Sequence, residues 1–310
     1  MTKYTTFLVI ILVFIGFVVT EHVFRDDTTR ICSWNIRFFG LRDNDLVSST
    51  VYYEYVANYI KQLQPDILCL QEVSSYKSIR HLQDRLSDYN LYVSDDVMEK
   101  NKQLIDDVGI HELISRVGDR AKKMGRVQFN VFLVKKSVAV VQIHTIHPKL
   151  IRLDYIDKRT RQPFVLYNCH FPSNFSGDNS EGREKAIAKL LHDIKVHKPK
   201  NIIIAGDLNA EKHTGDLETL DARFVDMLSS SSNDGGYDTM NPVYTHYRGG
   251  KKNRAVDAYD NYSHIDYFFV SPRVVNRVSD VYVDTTFCGE NVGTLMNDLS
   301  DHCAIIMDVV

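Results

Sequence analysis

From residue 28 to its end the chain is organised around short, almost wholly apolar runs separated by amphipathic stretches, and this alternation restricts the fold more than any other feature. DILCLQ at 66–71, FNVFLV at 129–134, FVLYN at 164–168, NIIIA at 201–205, IDYFFV at 265–270 and AIIMDV at 304–309 have strand length. Runs of this kind read as strands covered on both faces. Arg30–Trp34, 138–143 and 149–155 give three more strands, with a turn expected at Asn35-Ile-Arg-Phe-Phe-Gly. Between them Tyr52, Tyr55, Val56, Tyr59, Ile60 and Leu63 recur at helical spacing, and Pro65 ends that helix. Ile79, Leu82 and Leu86 mark a second helix, and Ile187, Leu190, Leu191 and Ile194 a third that stops before Pro199. Residues 95–126 are polar and read as a surface insertion with a short helix. Strands alternating with helices predict an α/β layered sandwich, and exclude both a helical bundle and a pure β fold.

The N-terminus is different in kind. Phe7 to Val19 is an unbroken apolar run preceded by Lys3 and followed by Glu21, His22 and Arg25. Its length fits a signal-peptide core or a short anchor. Residues 1–20 are therefore expected to export the chain or hold it at a membrane, leaving 28–310 as one domain. Membrane association through residues 7–19 and a secreted or membrane-anchored location follow as expectations. Asn174-Phe-Ser and Asn261-Tyr-Ser are glycosylation sequons. Hydrophobic residues make up 44%, enough for a core that needs no disulfide framework. Cys32, Cys69, Cys169 and Cys303 lie in strand-like runs and read as small buried hydrophobes, whereas Cys288 reads as a loop thiol. No C-x-x-C spacing points to zinc or thiol redox chemistry.

Polar residues recur at the ends of the apolar runs, where a rigid scaffold presents functional groups. Asn35 follows the first strand, Glu72 follows DILCLQ and His170 follows FVLYNC. Asp207 and Asn209 follow IIIAG, Asp266 lies in HIDYFFV, and Asp301-His302 precedes the last strand. Each alone reads equally well as a turn former, a helix cap or a structural histidine. Together, and in this order, Ser-Trp-Asn35-Ile-Arg, Leu-Gln-Glu72-Val, Asn-Cys-His170, Gly-Asp207-Leu-Asn209, His-Ile-Asp266-Tyr and Ser-Asp301-His302 resemble the endonuclease/exonuclease/phosphatase superfamily. RICSWNIRFFG and SDHCAIIMDVV are most similar to its deoxyribonuclease I branch, and the resemblance spans about residues 28 to 310.

The resemblance implies a four-layer α/β/β/α sandwich of two packed mixed β-sheets, with the site at one sheet edge. It implies that Glu72 ligates a catalytic divalent metal, with Asn35 and Asp301 completing or supporting the site. Oxygen ligands of this type suit Mg²⁺, with Mn²⁺ or Ca²⁺ as alternatives. Asp207 and Asn209 would position water and phosphate, Asp266 would fix His302, and His170 would contact phosphate or protonate the leaving oxygen. Which histidine is acid and which is base stays open. One departure is visible. The deoxyribonuclease I branch carries a Glu beside the first catalytic His, and the matching stretch GRVQFNVFLV offers only Gln128 or Asn130, amides that can orient His170 without stabilising its cation.

The implied activity is hydrolysis of nucleic-acid phosphodiesters, most simply DNA without sequence specificity, by a monomer. A formal net charge of -3 advertises no polyanion partner, so attraction must be local. Arg248, Lys251, Lys252 and Arg254, with Tyr244 and Tyr247 nearby, could clamp a backbone, or could simply be a solvated loop. Arg37, Arg42, Lys77 and Arg80 could line the same groove. Inositol-polyphosphate phosphatases of the superfamily carry Trp-Cys-Asp-Arg where this chain has Ser-His-Ile-Asp-Tyr, which disfavours that activity. A sphingomyelinase-like lipid phosphodiesterase and a non-catalytic nucleic-acid-binding relic are the remaining alternatives. No helix-turn-helix or zinc-finger pattern supports sequence-specific DNA recognition.

Overall fold

A computed structural model describes residues 28–40, 49–93, 128–174, 177–230, 245–247, 262–286 and 300–310. The apolar segment 7–19, the insertion at 95–126, Arg42, Tyr244, Asn261, Cys288 and the cations Arg248, Lys251, Lys252 and Arg254 lie outside the described residues.

One sheet runs in the order β13 (Val278–Asp284), β14 (Ala304–Val309), β1 (Thr29–Phe39), β2 (Ile67–Val73), β4 (Phe129–Lys135), β3 (Tyr89–Tyr92). The other runs β5 (Ala139–His147), β6 (Leu150–Ile156), β7 (Pro163–His170), β8 (Ile202–Asp207), β12 (Asp266–Val270), β9 (Val225–Asp226). Each is mixed, with one parallel pair at its centre: β1 beside β2, and β7 beside β8. Parallel neighbours need a crossover. Helix α1 (Ser49–Leu63) makes the first, and α3 (Ser180–His197) makes the second. Helix α2 (Tyr76–Arg85) packs beside α1. A two-residue ribbon joins β10 (His246–Tyr247) to β11 (Tyr262–Ser263).

The period-2 alternation of a strand assigns the layers. Ile31, Ile67, Cys69, Ile203, Ala205, Phe268, Ile305 and Met307 share the core between the sheets. Cys32, Leu68, Leu70 and Ile306 point the other way, onto Val56, Tyr59 and Ile60 of α1. Ile202, Ile204, Tyr267 and Phe269 point outward onto Ile187 and Leu190 of α3. The four layers are therefore α/β/β/α, as the family resemblance implies.

Three details differ. The expected turn at Asn35–Gly40 is instead the far half of β1, which continues to Phe39. Strands β3 and β13 lie at the edges of the first sheet, where short or half-exposed segments carry little apolar pattern. Cys32, Cys69 and Cys169 are buried free thiols, but Cys303 is disulfide-bonded and not the free thiol its apolar neighbours imply. Among the described residues no helix is long and apolar enough to cross a membrane.

Gly206 brings the ends of β7 and β8 together. Its φ is +133°, and a Cβ there would sit 2.0 Å from the carbonyl oxygen of Cys169. The nearest atoms are all Cys169 backbone, which leaves nothing soft to yield, so Gly206→Ala is expected to cost about 3 kcal/mol, read as a lower urea midpoint. An unchanged midpoint would show that the strands can part.

Candidate active site

The polar strand ends continue the inner faces of both sheets. Ile31, Ser33 and Asn35 alternate onto one side of β1, and Ile203, Ala205 and Asp207 do so on β8. Leu166, Asn168 and His170 on β7, and Val270, Phe268 and Asp266 on β12, follow the same rule. Where the apolar filling stops, the same parity presents polar groups from both sheets to one another. Beneath them Gln71 Nε2 donates to Asn168 Oδ1 at 2.8 Å and to Ser33 Oγ at 3.0 Å, while Asn168 Nδ2 donates to Leu70 O at 3.2 Å and Val131 O at 2.9 Å. These buried bonds tie sheet to sheet just below the cluster and fix its spacing.

Glu72 breaks the parity, since Leu70 faces α1. Its φ is +58°, and the register of β2 is irregular against both β1 and β4 at this point. The left-handed residue turns the carboxylate into the cluster, where Oε1 accepts from Asn35 Nδ2 at 3.3 Å. A non-glycine residue there costs about 1–2 kcal/mol. Glu72→Gly is therefore expected to melt no lower than wild type while losing activity. A lower melting temperature would mean the carboxylate stabilises the fold.

Asp207 lies at the centre. Its Oδ2 accepts from Asn35 Nδ2 at 2.9 Å and lies 3.8 Å from Nε2 of both His170 and His302. His302 Nδ1 is 2.9 Å from Asp266 Oδ2, and Asp266 pairs directly with Asp207 in the β8–β12 register. The loop carrying His302 is held at several points: Trp34 Nε1 donates to His302 O at 3.0 Å, Ser300 Oγ donates to Asn35 O, and His302 N donates to Ser300 Oγ. Cys303 N donates to Thr245 O, and Thr245 Oγ1 accepts from the backbone of Ile265 and Asp266.

The electrostatics separate the two histidines. Burial opposes a charge on His302, but Asp266 and then Asp207 outweigh it and lift its pKa well above the ordinary imidazole value. His170 goes the other way: burial, then Lys149 and His302, hold it far below that value. Among the described residues its Nδ1 has no hydrogen-bond partner. Neither amide orients it, since Gln128 Oε1 accepts from Lys149 Nζ at 2.9 Å and Asn130 Nδ2 is spent on Asn168 and Lys149. The 3.7 Å approach of His170 Nε2 to Glu72 is thus no ion pair, because the ring is neutral. Burial also raises the pKa of Asp207 and Glu72, with His302 opposing in both cases and Asp301 adding to the rise at Glu72.

The oxygen donors fit a hard divalent cation. Glu72 is a carboxylate disfavoured as an anion by burial and by Asp301, which is the imbalance a cation relieves. Asn35 turns its Nδ2 to Glu72 and Asp207, while its Oδ1 accepts from the Arg37 backbone at 3.0 Å. It braces the carboxylates. Asp301 is half-exposed and lies 3.2 Å from Arg37 Nε, so this expected substrate contact is paired with a site carboxylate. Asn209, also left-handed, donates from Nδ2 to Phe171 O at 2.9 Å and from its backbone to Asp207 Oδ1.

Sequence reasoning overlooked two residues. Lys149 is half-buried beside Glu72 and Asp207, and burial lowers its pKa. His246 packs its ring 4.5 Å from that of His302 and forms an isolated bridge with it. A cation at a strand start and a histidine in a two-residue ribbon leave no pattern in sequence.

Compared with known proteins, residues 32–302 match the model of the Endonuclease/Exonuclease/phosphatase family. No curated protein matches the chain by sequence. Among solved structures, the endonuclease/exonuclease/phosphatase from Bacteroides vulgatus superposes with a TM-score of 0.63 at 17% identity, covering 91% of this chain and 98% of its own. The human Nocturnin catalytic domain with bound sulfate gives 0.63 at 18%, covering 92% and 94%. D. rerio TDP2 complexed with single strand DNA product gives 0.59 at 17%, covering 91% and 98%. At these identities the likeness is one of fold.

Proposed function

The chain belongs to the endonuclease/exonuclease/phosphatase family, and on that premise we propose that it is a divalent-metal-dependent phosphodiesterase that hydrolyses nucleic acid, with DNA as its substrate. Members of the family are typically phosphodiester hydrolases. The observation that carries the reading is Asp207 Oδ2 set 3.8 Å from Nε2 of both histidines, with Asp266 behind His302 at 2.9 Å. Support for DNA comes from the fold shared with a TDP2 structure that holds a single strand DNA product.

Phosphodiester hydrolysis needs a proton taken from water, charge stabilised at phosphorus and a proton returned to the leaving oxygen. Asp207 is the carboxylate placed to take the first proton, since burial makes it a stronger base than an exposed aspartate. His302, held as a cation by Asp266, supplies positive charge and an Nε2 proton for the leaving oxygen. His170 is neutral, so its role is to contact phosphate, not to donate a proton at neutral pH. Glu72 would hold the metal, with Asn35 and Asp301 in support. Mg²⁺ is the proposed ion, with Mn²⁺ or Ca²⁺ as alternatives, and when bound it would neutralise charge developing on the phosphate.

Offering the chain plasmid DNA, RNA, sphingomyelin and inositol phosphates tests the substrate class. The proposal expects plasmid nicking. Sphingomyelin hydrolysis with intact plasmid would replace it by the lipid reading. We further propose that residues 1–20 export or anchor the protein. Described strand structure begins at Thr29, so a chain starting at residue 28 should stay soluble and active. Its failure to fold would place Phe7–Val19 in the core.

A further inference from the structure

Beside the oxygen-rich cluster lies a second group of ligand atoms with different chemistry. One ligand atom each from His246, Asp301 and His302 lie within 4.8 Å of one another. His246 Nε2 is 3.9 Å from Asp301 Oδ2. In both imidazoles Nδ1 is engaged from behind, by Ser263 Oγ at 2.9 Å for His246 and by Asp266 Oδ2 at 2.9 Å for His302. A hydrogen bond at one ring nitrogen fixes the tautomer and directs the other nitrogen outward, the usual support of a metal-binding histidine. The two rings lie 4.5 Å apart and are pinned by the bridge between their backbones, so the donors are held in place before any ion arrives. The side chains of His246 and Asp301 are 14% and 25% exposed, which leaves the group reachable from solvent.

We propose that His246, Asp301 and His302 bind a borderline transition-metal ion, with Zn²⁺ as the type case, and that this ion switches the enzyme off by occupying Nε2 of His302. Two imidazoles and one carboxylate suit Zn²⁺ far better than Mg²⁺, which prefers oxygen and keeps its waters. Coordination requires the neutral imidazole, so the Nε2 proton leaves to the buffer and the ion takes the lone pair. Asp301 also serves Arg37 at 3.2 Å, and the ion competes with that guanidinium for the carboxylate. Inhibition rests on the function proposed above, whereas binding does not.

The test is zinc titration of the full chain by calorimetry, without substrate, on wild type, His246→Gln and Ser263→Ala. Wild type should bind one ion with micromolar or tighter affinity. His246→Gln should lose more than about 100-fold, and Ser263→Ala, which removes only the support behind His246, about 10-fold. Circular dichroism checks that both variants fold. If wild type takes up no zinc, or folded His246→Gln binds it equally well, the site is wrong. If zinc binds stoichiometrically but leaves Mg²⁺-supported nicking intact, the inhibitory role is wrong. Loss of the nuclease reading itself would leave the binding isotherms unchanged.

Discussion

His302→Ala lowers kcat for phosphodiester cleavage by roughly 10²- to 10⁴-fold while the protein stays folded, the loss typical of a removed acid–base group. The backbone contacts around the residue survive truncation, since Trp34 bonds to its carbonyl and Ser300 to its amide. Asp266→Asn should lose a comparable factor. Asp266 is the group that raises the pKa of His302 most, and an amide at 2.9 Å from Nδ1 can impose the other tautomer. Because the two act as one unit, the double variant should be little worse than His302→Ala alone. Fully multiplicative losses with unchanged folding would mean that the pair works independently, and the assignment of His302 would have to be withdrawn.

Asp207→Asn should be just as damaging, with about the same 10²- to 10⁴-fold loss, and its stability should move the opposite way. Burial raises the pKa of Asp207, so its ionised form is disfavoured in the native state and costs stability at neutral pH. Sign and window follow together. A raised carboxyl destabilises the fold above the unfolded value, so the variant's advantage should be present at pH 7 and vanish in acid. Melting curves at neutral and acidic pH measure it. A variant less stable at pH 7 would mean that the anion is better solvated than its surroundings imply.

Much of this architecture is legible in the sequence, for a physical reason. Runs such as NIIIA and IDYFFV are buried on both faces, so tertiary context reinforces what their composition already prefers. Polar residues ending such runs are forced to a common edge once the sheets pack. Asn35, His170, Asp207, Asp266 and His302 therefore meet as the motifs imply. Glu72 reaches the same cluster only through a left-handed backbone and a register shift, neither of which has a sequence signal beyond the motif itself. Edge strands β3 and β13 were invisible because half-exposed pairing tolerates polar residues. The neutral state of His170 depends on burial first and then on Lys149 and His302, which the fold brings close from distant positions, so it could not be read from residue order.

Plasmid relaxation with and without divalent metal tests the central claim most directly. The full chain in Mg²⁺ should convert supercoiled DNA to nicked circles, stop when EDTA is added, and resume when Mg²⁺ is restored in excess. Cleavage that continues at the same rate in EDTA would contradict a metal held at Glu72, and with it the assignment of this cluster as a metal-dependent phosphodiesterase site.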